Sequence, residues 1–155
     1  MGMDALTRGW VNYPGATEKA ALLAALDAAV ERADNPEYAR AVAANWRFVE
    51  DPFPAGGYCG HFAFWVGTVR AVELPFVRAQ VEAVAAALEP EVEWLPDGRT
   101  RYELQGLFDV SMEGERPREW RLYGRAVHEH EREVPPWEEP GGLDTGLDVP
   151  LPPPA

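Results

Sequence analysis

The sequence predicts a single α+β domain over residues 1–132, followed by an acidic, proline-rich tail over residues 133–155. Three observations carry that expectation. Apolar residues recur at helical spacing in the first half of the chain and again after Pro75. Apolar–polar alternation, the mark of a half-buried strand, takes over after residue 90. The last 23 residues, EVPPWEEPGGLDTGLDVPLPPPA, contain seven prolines and five acids but no Lys or Arg, so they lack the means to join a packed core.

The elements follow in order. Beyond a loop at Tyr13-Pro14-Gly15, TEKAALLAALDAAVERA sets Leu22, Leu23, Leu26 and Val30 on one stripe in an alanine-rich setting, which predicts a helix over 17–33. Asp34 and Asn35 are capping residues and Pro36 suits a first helical position. A second helix is therefore expected from Pro36 to about Arg47, with Tyr38, Val42 and Trp46 on one face. DPFPAGG is a turn-rich loop, because two prolines remove backbone donors and two glycines widen the accessible φ range.

CGHFAFWVGTVRAVEL then alternates, with Phe62, Phe64 and Val66 facing one way and Cys59, His61, Ala63 and Trp65 the other. Helical spacing also fits this stretch, but its aromatic and β-branched content favours a strand buried on both faces. Pro75 opens a third helix, with Val77, Val81, Val84 and Leu88 on its apolar face and Pro90 closing it. EVEWL followed by PDG reads as a strand and a tight turn.

TRYELQGLFDVSM places Thr100, Tyr102, Leu104, Gly106, Phe108, Val110 and Met112 on one side of a long strand. EWRLYGRAVHEHE places Trp120, Leu122, Gly124, Ala126, His128 and His130 on one side of another. The expected order is thus two helices, a strand, a helix and three strands in an antiparallel-rich sheet that is free to curve around a pocket.

Composition narrows the function. A chain of 155 residues that is 46% hydrophobic can bury a core. A net charge of −12 repels phosphate backbones and anionic lipid, so nucleic acid and membrane are not expected partners, whereas a basic protein or a cation is favoured. The lone Cys59 forms no internal disulfide, and MGMDALTRGWV shows neither the basic nor the apolar region of a signal peptide; the expected address is the cytoplasm. Only one serine, Ser111, is present and it lies outside any GxSxG setting, while Lys19 has no glycine-rich phosphate loop around it and no GxGxxG follows a strand. The carboxylate pairs Glu113 with Glu115 and Glu138 with Glu139 read as solvated loop charge. Of the six tryptophans, Trp10, Trp46, Trp65, Trp94 and Trp120 are expected in the core, while Trp137 lies in the tail as an anchor for the body or a partner.

One constellation stands out. Every Cys and His falls into two i, i+2 pairs, Cys59 with His61 and His128 with His130. In a strand each pair presents two donors on one face, and if the two strands are antiparallel neighbours the four donors converge as a tetrahedral zinc-like site, structural or hydrolytic. GYCGHFA also resembles the glycine, cysteine, phenylalanine and alanine pattern around the reactive cysteine of transglutaminase-like enzymes, and RAVELPFVRA is loosely similar as well. That resemblance implies a Cys59 nucleophile with a downstream His and Asp; HEH supplies the only downstream histidines, and no matching Asp follows closely. The leading expectation is a small, non-enzymatic, acidic cytoplasmic binding protein of the immunity or inhibitor kind. Its rivals are the metalloprotein using Cys59, His61, His128 and His130, and a small-molecule pocket in a curved sheet.

Overall fold

Ten residues that carry no obvious strand signature form the central strand of the protein. In the computed structural model, which describes residues 3–50 and 60–133, β1 (Asp4–Tyr13) turns Ala5, Thr7, Gly9, Val11 and Tyr13 toward the core. Two of the five inward residues are Thr7 and Gly9, so the apolar alternation is diluted at the middle of the strand. Gly9 is needed there, because a Cβ at that position would lie 2.3 Å from the Phe108 ring packed across it.

The helices follow as α1 (Ala16–Arg32) and α2 (Pro36–Ala43), with the Asn35 side chain accepting a hydrogen bond from the Tyr38 N–H at 3.2 Å, the expected cap. α2 stops four residues before the predicted end. Trp46 does not extend its face but begins β2 (Trp46–Val49), where its indole N–H donates to Gln80 Oε1 at 3.1 Å and its ring packs edge-on against Phe108. β3 (His61–Arg70) is a strand, as its aromatic and β-branched content predicts. A short 3₁₀ turn, Ala71–Glu73, leads into α3 (Leu74–Ala87), whose predicted stripe of Val77, Val81, Val84 and Leu88 is buried throughout.

β4 (Val92–Trp94) and β5 (Thr100–Tyr102) form a separate two-stranded sheet closed by Pro96-Asp97-Gly98, with Gly98 at φ +82°. The long strand expected over 100–112 is thereby broken. Its second half is β6 (Gly106–Met112), which joins the main sheet with Phe108 and Val110 buried, while Tyr102 and Leu104 stay exposed. The strand expected over 119–131 is a hairpin, β7 (Arg118–Tyr123) and β8 (Ala126–Glu131). Gly124 and Arg125 both take positive φ, at 59° and 64°, the pattern of a two-residue type I′ turn.

The main sheet runs β2-β3-β1-β6-β7-β8 with every neighbour antiparallel. The fold is therefore α+β, as predicted, but it starts with the strand around which the sheet is built. The buried core forms one cluster in which α1, α2 and α3 contribute Leu22, Val42, Val81 and Val84 over sheet residues Trp65, Phe108, Trp120 and Leu122. Buried polar atoms tie the layers together. The Trp65 indole N–H donates to the Val42 carbonyl at 2.9 Å, and the Gln80 amide donates to the Ala39 carbonyl at 2.8 Å, so both join α2 to its neighbours. At the far edge Arg78 of α3 lies 5.0 Å from the Trp120 ring centre, and Glu129 of β8 accepts from the Trp120 indole.

Candidate interaction surface

The side-chain period of two that buries Ala63, Trp65 and Val69 of β3 sends Phe62, Phe64, Val66 and Thr68 to the opposite face. Three helices cover one face of the sheet only. The second face of β3, expected to be buried, is therefore open among the described residues, with Phe64 37% and Val66 60% exposed. The strand register places Trp10 of β1 between Phe64 of β3 and Leu107 of β6, and Arg8 between Val66 and Asp109. The rings make a ladder: Trp10 meets Phe62 edge-on at 6.2 Å, and Phe62 stacks on Phe64 at 5.9 Å. Leu6 and Val49 extend the apolar strip along β1 and β2.

Charged pairs frame this strip on the β6-β7-β8 side. Asp109 receives Arg8 at 3.5 Å and Arg132 at 3.2 Å, and Glu119 pairs with Arg121 at 2.9 Å. Between the rings and the ions lies a shallow depression of about 430 Å³ lined by Trp10, Phe64, Val66, Leu107, Asp109 and Arg132. An apolar centre with a charged, hydrogen-bonded rim is the anatomy of a protein interface, and a contiguous exposed apolar patch marks such a site on a monomer.

A second concavity, about 760 Å³, lies where the β4–β5 hairpin meets β6 and β7, lined by Tyr102, Leu104, Leu107, Arg121 and Tyr123 among others. Tyr102 closes over the β7–β8 turn, since a Cβ on Gly124 would stand 3.0 Å from its ring. The Glu91 carboxyl beside this hairpin is pushed above the usual carboxylate range, chiefly by burial and then by the charge of Glu103. At the opposite end of the sheet, Lys19 and Glu50 pair at 2.6 Å; hydrogen bonding raises the Lys19 pKa and lowers that of Glu50. The Tyr13 hydroxyl nearby is buried, has no hydrogen-bond partner among the described residues, and is raised by burial against the opposing charge of Lys19.

The residues singled out in the sequence fall as follows. Cys59 and Trp137 lie outside the described residues. His61 opens β3 on the helix-covered side, stacked against Tyr13 at 5.5 Å. His128 lies on the open side of β8, its ring stacked on Tyr123 at 3.7 Å and its Nε2 3.2 Å from the Tyr123 carbonyl oxygen. His130, exposed, stands opposite Glu119. The hairpin turn inverts the expected facing: Trp120 and Leu122 point into the core, whereas His128 and His130 point away from it.

The convergence of the two pairs required β3 and β8 to be neighbours. Instead β1, β6 and β7 lie between them, so β3 and β8 stand about 19 Å apart at the usual strand spacing, and His61 and the HEH pair occupy opposite faces. Among the described residues no group of three or more His, Cys, Asp or Glu is placed to hold a metal ion. The same separation sets His128 and His130 on the far edge of the sheet from Gly60 and His61.

The open face is not legible in β3 itself, because a strand apolar on both sides predicts burial of both. The available signal was the count of helices, since three are enough for one face of six strands. Trp10 and Trp94 were likewise expected in the core; Trp10 belongs to the open face and Trp94 is 77% exposed on the small hairpin. No helix among the described residues is long and apolar enough to cross a membrane. Comparison of the chain with known protein families, with curated proteins and with solved structures finds no match.

Proposed function

We propose that the protein is a non-enzymatic cytoplasmic binding protein, immunity- or inhibitor-like, that docks a basic protein partner on the open face of its six-stranded sheet. The observation that carries this reading is the apolar strip in which exposed Phe64 and Val66 adjoin half-buried Trp10 and Phe62, with no helix over it among the described residues, on an otherwise strongly charged chain. The partner's charge is inferred from the net −12, which accelerates encounter with a basic surface, while the apolar strip supplies the short-range contact that outlasts salt. Ten of the fourteen basic side chains are engaged in ion pairs, which leaves the acidic excess to shape the outer field.

The test is affinity capture from the native host with the full chain as bait, in low and in high salt, beside a Val66→Glu bait. The reading predicts a basic protein retained in high salt by the native chain and lost from the variant. Binding that salt erases, that spreads over unrelated basic proteins, or that Val66→Glu leaves intact would refute it, because it would reflect bulk charge alone.

A further inference from the structure

We propose that the cleft between the β4–β5 hairpin and strands β6 and β7 takes an arginine side chain of the basic partner. This rests on the reading of the open face as the docking surface and gives the partner's positive charge a defined seat beside it.

The cleft is continuous with that surface. Its volume of about 760 Å³ falls in the range of ligand pockets, and Leu107 and Glu119 line both the cleft and the shallow depression beside Trp10 and Phe64. The two concavities differ in charge. In the depression Asp109 is already matched by Arg8 and Arg132. The cleft is lined by three carboxylates, Glu93, Glu103 and Glu119, against two guanidiniums. Arg101 pairs with Glu93 at 2.6 Å and Arg121 with Glu119 at 2.9 Å, whereas Glu103 has no ion-pair partner among the described residues. Its charge acts instead on another acid, being the cause next after burial that holds the Glu91 carboxyl above the usual range. A cation on Glu103 relieves that repulsion.

The walls favour a guanidinium over an ammonium. Tyr102 and Leu104 are exposed in the cleft, and Tyr123 is held in place by its stack on His128 at 3.7 Å. A guanidinium is planar and weakly hydrated, lies against aromatic rings and forks onto a carboxylate, while a lysine ammonium holds its water more strongly. The apolar stem of the same side chain is long enough to cover Leu104 and Leu107. β4 and β5 pair only with each other, and a lone two-stranded sheet is marginal in water, so the hairpin gains from whatever packs against it.

The experiment is a nitrogen–proton NMR titration of the full chain in low salt with N-acetyl-L-arginine amide, beside its neutral isostere N-acetyl-L-citrulline amide and N-acetyl-L-lysine amide. The proposal predicts saturable shifts confined to residues 91–104 and 119–124 with the arginine probe, weaker binding of the lysine probe and none of citrulline. Glu103→Gln should weaken the arginine probe about threefold, the measure of one exposed ion pair. Shifts that citrulline reproduces, that lysine equals, that fail to saturate or that Glu103→Gln leaves unchanged would overturn it. No partner is present in the titration, so such a failure leaves the docking reading to be judged by Val66→Glu. Arginine binding by a chain that captures no basic protein would instead sink the docking reading and leave the cleft as a guanidinium site.

Discussion

The two faces of the sheet are built from the same strands and differ in what lies over them. On the covered face Trp65 is fully buried, its indole N–H bound to the Val42 carbonyl, and Gln80 joins α2, α3 and β2 by two hydrogen bonds. One residue away on the same strand, Phe64 and Val66 face outward with no helix of the described residues over them. A single-residue step thus separates a side chain that holds the fold from one that is free to hold something else. Stability is concentrated on the covered face, and recognition is proposed for the other.

Substitutions at matched positions break that comparison if it is wrong. Trp65→Ala removes the largest fully buried side chain and is expected to cost about 3–5 kcal/mol, read by denaturant unfolding. Gln80→Leu leaves the Trp46 indole N–H and the Ala39 carbonyl without their partner, an expected loss of about 1–3 kcal/mol; a neutral result would show that the bridge is dispensable. Thr7→Val acts in the opposite direction. The Thr7 hydroxyl is buried with no partner among the described residues, so a methyl in its place should stabilise by about 1 kcal/mol.

Val66→Glu, on the open face, should leave stability within about 0.5 kcal/mol. The smallest expected effect is pH-dependent. Because the Glu91 pKa is raised in the folded state, its contribution is present below the ordinary glutamate pKa and lost as pH rises through the higher folded value. Glu103→Gln removes the like charge, so its melting temperature should exceed that of the native chain by more near pH 7 than near pH 4. An equal difference at both would show that the two carboxylates are not coupled.

Much of the fold was readable because its signals are local. α1, α3 and the Asn35 cap follow from apolar spacing, proline position and side-chain hydrogen bonding within a few residues. β1 was not, because Thr7 and Gly9 stand where a buried strand normally shows large apolar residues, and the reason for Gly9 is a ring from a strand about a hundred residues away. The turn at Gly124-Arg125 hid for another reason: arginine seldom takes positive φ, so an alternating pattern ran unbroken across it and carried the histidines to the wrong face. The open face and the separation of His61 from HEH depend on strand order, which no local pattern encodes.

The central claim, that the open face is the working surface, is tested most directly by calorimetric titration of the captured partner into the native chain and into Val66→Glu, each first shown to melt alike. The account predicts at least a tenfold loss of affinity with stability unchanged, a cost of about 1.4 kcal/mol or more. Equal affinity in the two proteins would place the interface elsewhere and contradict it.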